Sequence, residues 1–262
     1  MSAVDARVAL ITGAGRGIGR AIAERLADDG MDIIVSDLPQ AQHNIDEVVA
    51  AIQSRGREAI GVTGDVSNPD DVERMVKQGT DALGNLGVFI ANAGIAQVDE
   101  ILDVKPEDLD RILNVNIKGV YYSYQSAARQ FIAQGTPGKI IAAASIVAYR
   151  PFPTLASYSA SKWAVRGLTQ AAAMEFAKHK ITVNAYAPGV VGTAMWDLID
   201  ERLTTIEGTP RGSALAKQVD NILAGRVSEP EDVAKLVSYL AGPDSDHMTG
   251  QTVLIDGGSN FS

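Results

Sequence analysis

The sequence predicts a doubly wound α/β fold, because short apolar strand segments alternate with longer helical patterns along the whole chain. The strand segments are continuously apolar instead of alternating, which is typical of a parallel sheet buried on both faces. A glycine-rich turn directly follows the first strand, and polar residues follow several of the others. Parallel strands joined by helices imply right-handed crossovers, and therefore helices on both faces of the sheet.

Seven strands and six helices are predicted in order along the chain. The strands lie at 8–12, 32–37, 58–65, 87–94, 139–145, 181–189 and 252–258, and the helices at 18–29, 41–54, 69–83, 106–133, 157–178 and 230–241. Asn68 as N-cap and Pro69 at the first helical position predict where the third helix begins. No linker composition interrupts the pattern, so we expect all 262 residues to form one domain.

One stretch, 190–226, breaks the alternation. It is long, mixed in composition and partly amphipathic, and it follows the C-terminal end of the sixth strand. Ligands bind at that end of the strands in open α/β sheets. We therefore interpret 190–226 as a lid over a substrate site; two surface helices would fit the same pattern, and the two interpretations are compatible.

Composition excludes several classes of function. The net charge is −9 and the basic residues are scattered, which argues against nucleic acid or an anionic membrane as partner. The chain contains no cysteine and only three histidines far apart in sequence, which argues against a disulfide, a thiol nucleophile or a metal site. We expect a cytoplasmic enzyme with no metal, no signal peptide and no membrane helix.

The turn after the first strand reads TGAGRGIG, with glycines at Gly13, Gly15, Gly17 and Gly19. Ile18 stands where the usual dinucleotide fingerprint has glycine, so the spacing is G-x-x-x-G-x-G. The physical requirement is the same, because glycines let the backbone turn tightly and approach a pyrophosphate at a helix N-terminus. A strand before the turn and a helix after it favour a Rossmann-type nucleotide site over an ordinary loop.

Asp37 ends the second strand at the spacing expected of a carboxylate that binds the adenosine ribose. A carboxylate at this place accepts hydrogen bonds from the ribose hydroxyls and repels a 2′-phosphate. Leu38 follows it in place of a basic residue, so NAD is predicted and NADP is disfavoured. Arg16 in the glycine loop is the one contrary feature, since a guanidinium pairs with phosphate.

Further cofactor residues are predicted where later strands end. Asp65 and Val66 end the third strand, where they would flank the adenine, and Asn92 and Gly94 end the fourth. A cofactor laid across the sheet requires contacts at the C-terminal ends of several strands. This agreement in position supports the nucleotide site more strongly than any single motif.

The predicted reacting groups are Ser145, at the end of the fifth strand, and the pair Tyr158 and Lys162. Residues four apart on a helix share a face, so the tyrosine and the lysine would be neighbours. The ammonium is expected to lower the pKa of the phenol toward neutrality, where an acid–base catalyst works best. Without other evidence, such a pair usually means a half-buried aromatic residue beside a solvated charge. The glycine loop and Ser145 favour a catalytic role for this pair.

These residues together resemble the short-chain dehydrogenase/reductase family over nearly the whole chain. The motifs that carry the resemblance are TGAGRGIG (12–19), ANAG (91–94), NVNIKG (114–119), YSASK (158–162), APG (187–189) and DGG (256–258). One departure is Ala91, where the family often has asparagine. The resemblance implies a catalytic tetrad of Asn116, Ser145, Tyr158 and Lys162.

The resemblance also implies finer roles. Lys162 would hold the nicotinamide ribose, and Asn116 would support a water-linked proton relay by bending its helix. Nicotinamide contacts are implied for Pro188, Gly189, Val191 and Thr193. Within the family the chain is most similar to acetoin (diacetyl) reductases, also called 2,3-butanediol dehydrogenases, which implies a hydroxyketone, diketone or diol substrate and a homotetramer. Substrate contact and plain packing are equally open for the candidate pocket residues Ile95, Ile146, Val147, Phe152 and Trp196.

Three other functions are weighed against an NAD-dependent oxidoreductase of small secondary alcohols. A polyol or sugar dehydrogenase would need more polar residues than the mostly apolar stretch 146–155 offers. A 3-oxoacyl reductase of the same family would prefer NADP and a basic entrance to its active site. Asp37 and the negative net charge argue against this function. A nicotinamide-binding regulator would have no need of a complete serine, tyrosine and lysine set.

Overall fold

Seven strands form the centre of the protein in the computed structural model, which describes residues 8–261. They are β1 (Val8–Thr12), β2 (Asp32–Asp37), β3 (Ala59–Thr63), β4 (Leu86–Ala91), β5 (Gly138–Ala143), β6 (Ile181–Pro188) and β7 (Thr252–Ile255). All neighbours pair in parallel in the order β3-β2-β1-β4-β5-β6-β7, which confirms the predicted fold class. The strand order reverses between β1 and β4, where open α/β sheets form a ligand crevice.

Residues 8–261 contain nine α-helices. They are α1 (Gly17–Asp28), α2 (Gln42–Gln53), α3 (Pro69–Leu83), α4 (Pro106–Leu113), α5 (Gly119–Gln134), α6 (Ala156–Phe176), α7 (Ala194–Glu207), α8 (Ser213–Val219) and α9 (Pro230–Ala241). Helices α1, α2 and α9 share one apolar core with the sheet, and α3, α5 and α6 share the other. As predicted, the side chain of Asn68 caps α3 by accepting from the backbone N–H of Asp70 at 3.1 Å. No helix of the described residues is long and apolar enough to cross a lipid bilayer.

The helix predicted over 106–133 is wrong as one continuous element. A π-helical turn, Asn114–Lys118, separates α4 from α5, and the backbone N–H of Gly119 bonds the carbonyl of Asn114 five residues earlier. One extra residue in the turn displaces the side chains that follow, and such turns occur frequently at functional sites. Hydrophobic periodicity does not register a single inserted residue.

Several predicted strands extend too far at their C-terminal ends, because the polar residues there leave the sheet. The backbone N–H of Asn92 donates to the hydroxyl of Thr12 at 3.1 Å instead of joining a strand ladder. Ser145 begins a short 3₁₀ turn, where its hydroxyl accepts from the N–H of Val147 at 3.3 Å. Asp65 accepts from the N–H of Ser67 at 2.9 Å. These three predicted site residues therefore lie just beyond the strands.

The stretch 190–226 contains α7 and α8, so it does form two surface helices. Both helices also line the cleft described below. The carboxylate of Asp200 in α7 is buried and accepts from the backbone N–H groups of Gly212 at 2.6 Å and Leu215 at 2.9 Å. These bonds fix the start of α8 relative to α7, so the two helices form one unit.

Candidate active site

A cleft of about 1580 Å³ opens at the C-terminal edge of the sheet, where the loops after β1, β2, β4, β5 and β6 converge. All of the predicted site residues except Asn116 line it. The residues of the nucleotide end are Gly13, Arg16, Gly17, Ile18, Gly19, Asp37, Asp65, Val66, Asn92 and Gly94. The residues of the other end are Ile95, Ser145, Ile146, Val147, Phe152, Tyr158, Lys162, Pro188, Gly189, Val191, Thr193 and Trp196.

The glycine loop has the shape that a pyrophosphate cradle requires. Gly13 and Gly17 have φ values of +64° and +55°, a left-handed region that side chains disfavour. A Cβ added to Gly19 would lie 2.1 Å from the carbonyl oxygen of Gly13, so strand, turn and helix are packed backbone to backbone. The loop leads into the N-terminus of α1, where free N–H groups favour an anion. The cradle therefore fits the diphosphate of a dinucleotide.

Asp37 accepts hydrogen bonds from the backbone, which the sequence did not reveal. Its Oδ2 accepts from the backbone N–H of Gly15 at 3.0 Å, and its Oδ1 accepts from that of Leu38 at 2.8 Å. Each carboxylate oxygen has room for a further donor, so these bonds leave acceptors for ribose hydroxyls. Asp37 thus ties the glycine loop to the end of β2 and faces the cleft at the same time.

Asn92 is locked in place by partners that sequence reasoning missed. Its Nδ2 donates to the carbonyls of Thr12 at 2.9 Å and Gly13 at 3.1 Å, and its Oδ1 accepts from the Tyr186 hydroxyl at 2.7 Å. Burial raises the pKa of Tyr186, so its hydroxyl remains a donor. The network joins the ends of β1, β4 and β6, and no pattern in the sequence pairs these three residues.

Asn116 lies in the π turn and is fully buried behind the cleft. Its side chain accepts from the N–H of Ile95 and donates to the carbonyl of the same residue, both at 2.9 Å. Its Nδ2 also lies 3.1 Å from the hydroxyl oxygen of Ser161. Asn116 therefore holds the loop after β4 against α6.

Tyr158 and Lys162 are both buried on α6, with Nζ of the lysine 5.6 Å from the centre of the phenol ring. Burial raises the pKa of Tyr158 to about 12, and its hydrogen bond with Ser145 acts in the opposite direction. The expected lowering is therefore wrong for the protein without its cofactor, because burial has the largest effect on the pKa of Tyr158. Burial also lowers the pKa of Lys162 to about 8, and its Nζ donates to the carbonyl of Ala143 at 2.8 Å.

The part of the cleft beside Tyr158 is apolar. Tyr158 belongs to a buried cluster that also contains Ile146 and Val147, and Phe152 and Trp196 pack against this cluster. Ile199, on the buried side of α7, is a member of the same cluster. Helix α7 thus packs directly against the residues around the phenol. Within residues 8–261 there is no group of three or more acidic or histidine side chains that could hold a metal ion.

A sequence model of the short chain dehydrogenase family matches residues 7–204. The chain belongs to this family. It is 47% identical to L-2,3-butanediol dehydrogenase of Corynebacterium glutamicum, with 98% of this chain and 99% of that protein covered. It is 43% identical to a diacetyl reductase [(S)-acetoin forming] of Staphylococcus epidermidis, with 96% and 98% covered. The structure of NAD⁺-bound xylitol dehydrogenase superposes with a TM-score of 0.91 at 30% identity, covering 96% of this chain and 98% of that one.

Membership in the short-chain dehydrogenase family makes this chain an oxidoreductase that interconverts alcohols and ketones with a nicotinamide cofactor. The fit of that cofactor can be judged at the glycines of the cleft. At Gly94 an added Cβ would lie 3.3 Å from Oδ1 of Asn116 and 3.5 Å from Nζ of Lys162. A bare backbone at this point leaves space in front of both polar groups, as a bound ribose requires.

Lys162 should make the stability of this dehydrogenase depend on pH. Between its folded pKa of about 8 and its ordinary value of 10.5, the unfolded chain binds more protons than the folded protein. We therefore expect the free energy of unfolding to rise by about 1–3 kcal/mol across that interval. Denaturant unfolding of the wild type and Lys162→Met at several pH values measures the effect. A rise of equal size in both proteins would contradict the assignment to Lys162.

Proposed function

We propose that this protein reduces small vicinal diketones and hydroxyketones with NADH and oxidises the corresponding diols with NAD⁺. The observation that carries the proposal is the placement of Tyr158, whose phenol is buried beside Ser145 and Lys162 at an apolar end of the cleft. The similarity to a butanediol dehydrogenase and a diacetyl reductase supports the substrate class.

Tyr158 acts as the general acid in ketone reduction. Its raised pKa keeps the hydroxyl protonated at neutral pH, so it has a proton to donate to the substrate oxygen. The hydroxyl of Ser145 donates a second hydrogen bond to that oxygen and positions it. When bound, the nicotinamide cofactor supplies the hydride for reduction and takes it up in alcohol oxidation.

Lys162 and Asn116 support this proton transfer. Nζ of Lys162 is held by the carbonyl of Ala143 and faces the open backbone at Gly94, where it would bind the nicotinamide ribose. When charged, its ammonium favours the phenolate that Tyr158 becomes after it gives up the proton. Asn116 fixes the π turn and the loop at Ile95, in agreement with a role in positioning a proton relay.

The other predicted contacts complete the cofactor site. Asp65 and Val66 would flank the adenine, and Pro188 and Gly189 would border the nicotinamide. Val191 and Thr193 would reach its carboxamide. All six residues line the cleft; Pro188 ends β6, and the other five lie on the loops that follow β3 and β6. The 190–226 stretch is proposed as the lid that closes over the substrate.

Asp37 should select NAD over NADP. Asp37→Ala removes both ribose acceptors and the charge that repels a 2′-phosphate, whereas Asp37→Asn removes the charge and keeps one acceptor oxygen. Each change should lower the ratio of kcat/KM with NADH to that with NADPH, at least tenfold for alanine. The ratio is the decisive quantity, since losing the bond to Gly15 weakens the loop for both cofactors alike. Steady-state kinetics with NADH and with NADPH measures this ratio. An equal loss of kcat/KM with both cofactors would contradict the role of Asp37 in cofactor selection.

A substrate panel tests the proposed function. NADH consumption should be fastest with diacetyl and acetoin and slower with ketohexoses and acetoacetyl esters. The ketohexoses test a polyol or sugar dehydrogenase, and the esters test a 3-oxoacyl reductase. Preference for either of these would overturn the substrate class while leaving the oxidoreductase assignment in place. Binding of NADH without turnover of any of these substrates would instead favour a regulator.

The protein is further proposed to act in the cytoplasm as a homotetramer. Large apolar side chains stand exposed on two long helices, including Tyr121 on α5 and Met174 on α6. A second copy of the chain would bury such surfaces. Light scattering after size exclusion should give about four times the chain mass of 27.6 kDa; a monomer mass would exclude the tetramer.

A further inference from the structure

Gln97, in the loop after β4, is a buried amide without a hydrogen-bond partner. The residue is 7% exposed, and neither Nε2 nor Oε1 is paired with any of residues 8–261. A primary amide carries two donor hydrogens and an acceptor oxygen, and nearly all buried groups of this kind are satisfied in native proteins. An apolar side chain of the same size would avoid this cost. The amide therefore indicates a role other than stabilising the free protein.

The backbone around Gln97 is held at both ends. Ile95 exchanges two hydrogen bonds of 2.9 Å with the side chain of Asn116. The backbone N–H of Asp99 donates to the carbonyl of Thr154 at 2.9 Å. The carboxylate of Asp99 accepts from Arg202 of α7 at 2.6 Å. The segment is thus fixed between the π turn and the lid helix, and reorientation of Gln97 is confined to its side chain.

The neighbours of Gln97 place it next to the reacting end of the cleft. Ile95 and Ala96, directly before it, line the cleft. Val98, directly after it, is 2% exposed and belongs to the cluster that contains Tyr158. Gln97 itself does not line the cleft, so the unpaired amide belongs to the segment that joins the cleft lining to the cluster of Tyr158.

A substrate with two adjacent oxygens needs a second polar partner. Tyr158 and Ser145 bind the oxygen that reacts. Of the predicted pocket residues, the hydrocarbon side chains Ile95, Ile146, Val147 and Phe152 carry no polar group, and the indole of Trp196 only donates. An amide donates to a carbonyl and accepts from a hydroxyl, so it suits the second oxygen of a diketone, a hydroxyketone or a diol. Gln97 combines this chemistry with an unsatisfied amide.

We propose that Gln97 determines specificity for vicinal substrates. When substrate enters, the side chain of Gln97 turns toward the cleft. Its amide then forms a hydrogen bond with the oxygen on the carbon next to the reacting carbon. This inference deepens the proposed function and rests on it. The amide forms this hydrogen bond only with a substrate that has two adjacent oxygens. The enzyme therefore favours such substrates over ketones with a single oxygen.

Gln97→Met tests the role, because methionine has nearly the length and shape of glutamine without the amide. With NADH, kcat/KM should fall about tenfold for diacetyl, the scale of one lost hydrogen bond, and stay within about twofold for butanone, which has the same carbon chain and one oxygen. The melting temperature of the free protein should stay the same or rise. Gln130→Met, at a half-buried glutamine of α5 that does not line the cleft, is the matched control and should leave the ratio of the two substrates unchanged.

The possible results separate the two proposals. If the wild type prefers diacetyl and Gln97→Met keeps the same preference, the role of Gln97 is overturned and the proposed function stands. A lower melting temperature with equal losses on both substrates would make the amide purely structural. The same change of ratio in Gln130→Met would mean that loss of any buried glutamine has this effect, and it would overturn the role of Gln97. If the wild type does not favour diacetyl over butanone, the proposed function fails, and the inference fails with it.

Discussion

Replacing Tyr158 with phenylalanine should lower the turnover of diacetyl at least 10²-fold, the usual scale for an acid–base group. The ring and its packing are kept, and only the hydroxyl that gives up the proton is removed. NADH should still bind, because the glycine loop, Asp37 and Lys162 are unchanged. Steady-state kinetics with NADH measures the turnover, and fluorescence titration with NADH measures the affinity for the cofactor.

The control for this change is Tyr149→Phe. The Tyr149 hydroxyl donates to the carbonyl of Thr252, and the residue does not line the cleft, so its loss should affect stability more than turnover. Near-normal turnover in Tyr158→Phe would remove Tyr158 from the mechanism. A loss of NADH binding in the same variant would show that the phenol serves the cofactor site instead.

The architecture was predictable because it depends on patterns that extend over many residues. Continuously apolar strands between helical segments required a covered parallel sheet, and that requirement placed Asp37, Asn92 and Ser145 at one edge before any contact was known. Tyr158 and Lys162 became meaningful through this placement, since the same pair on an isolated helix would indicate only packing.

The features that could not be predicted depend on single contacts across the fold. The π turn at Asn114–Lys118 adds one residue to a helix, which hydrophobic periodicity does not detect. Whether the pKa of Tyr158 rises or falls depends on how completely the surrounding side chains exclude water, and spacing carries no measure of that. The bond from the N–H of Gly15 to Asp37 and the isolation of Gln97 likewise require the positions of neighbouring chains.

Gly19→Ala should be the most damaging change of a single methyl group in the cofactor half. The added Cβ would lie 2.1 Å from the carbonyl oxygen of Gly13 and 2.6 Å from Nδ2 of Asn92. Neither atom can move freely, because Asn92 is bonded to β1 and β6, and Gly13 is set in its turn. We expect a loss of about 1–3 kcal/mol in the free energy of unfolding, the usual cost of overpacking.

Gly19→Ala should also weaken cofactor binding, because the methyl forces apart the strand and helix that shape the cradle. We expect NADH affinity to fall at least tenfold, measured by fluorescence titration of protein that unfolding curves show to be folded. Gly167→Ala is the matched control. Gly167 lies within α6, where an added Cβ meets no atom within 4 Å, so alanine should raise stability by about 0.5–1 kcal/mol and leave NADH affinity unchanged. Normal NADH affinity in folded Gly19→Ala would mean that the close backbone packing of the loop is not required for binding the dinucleotide.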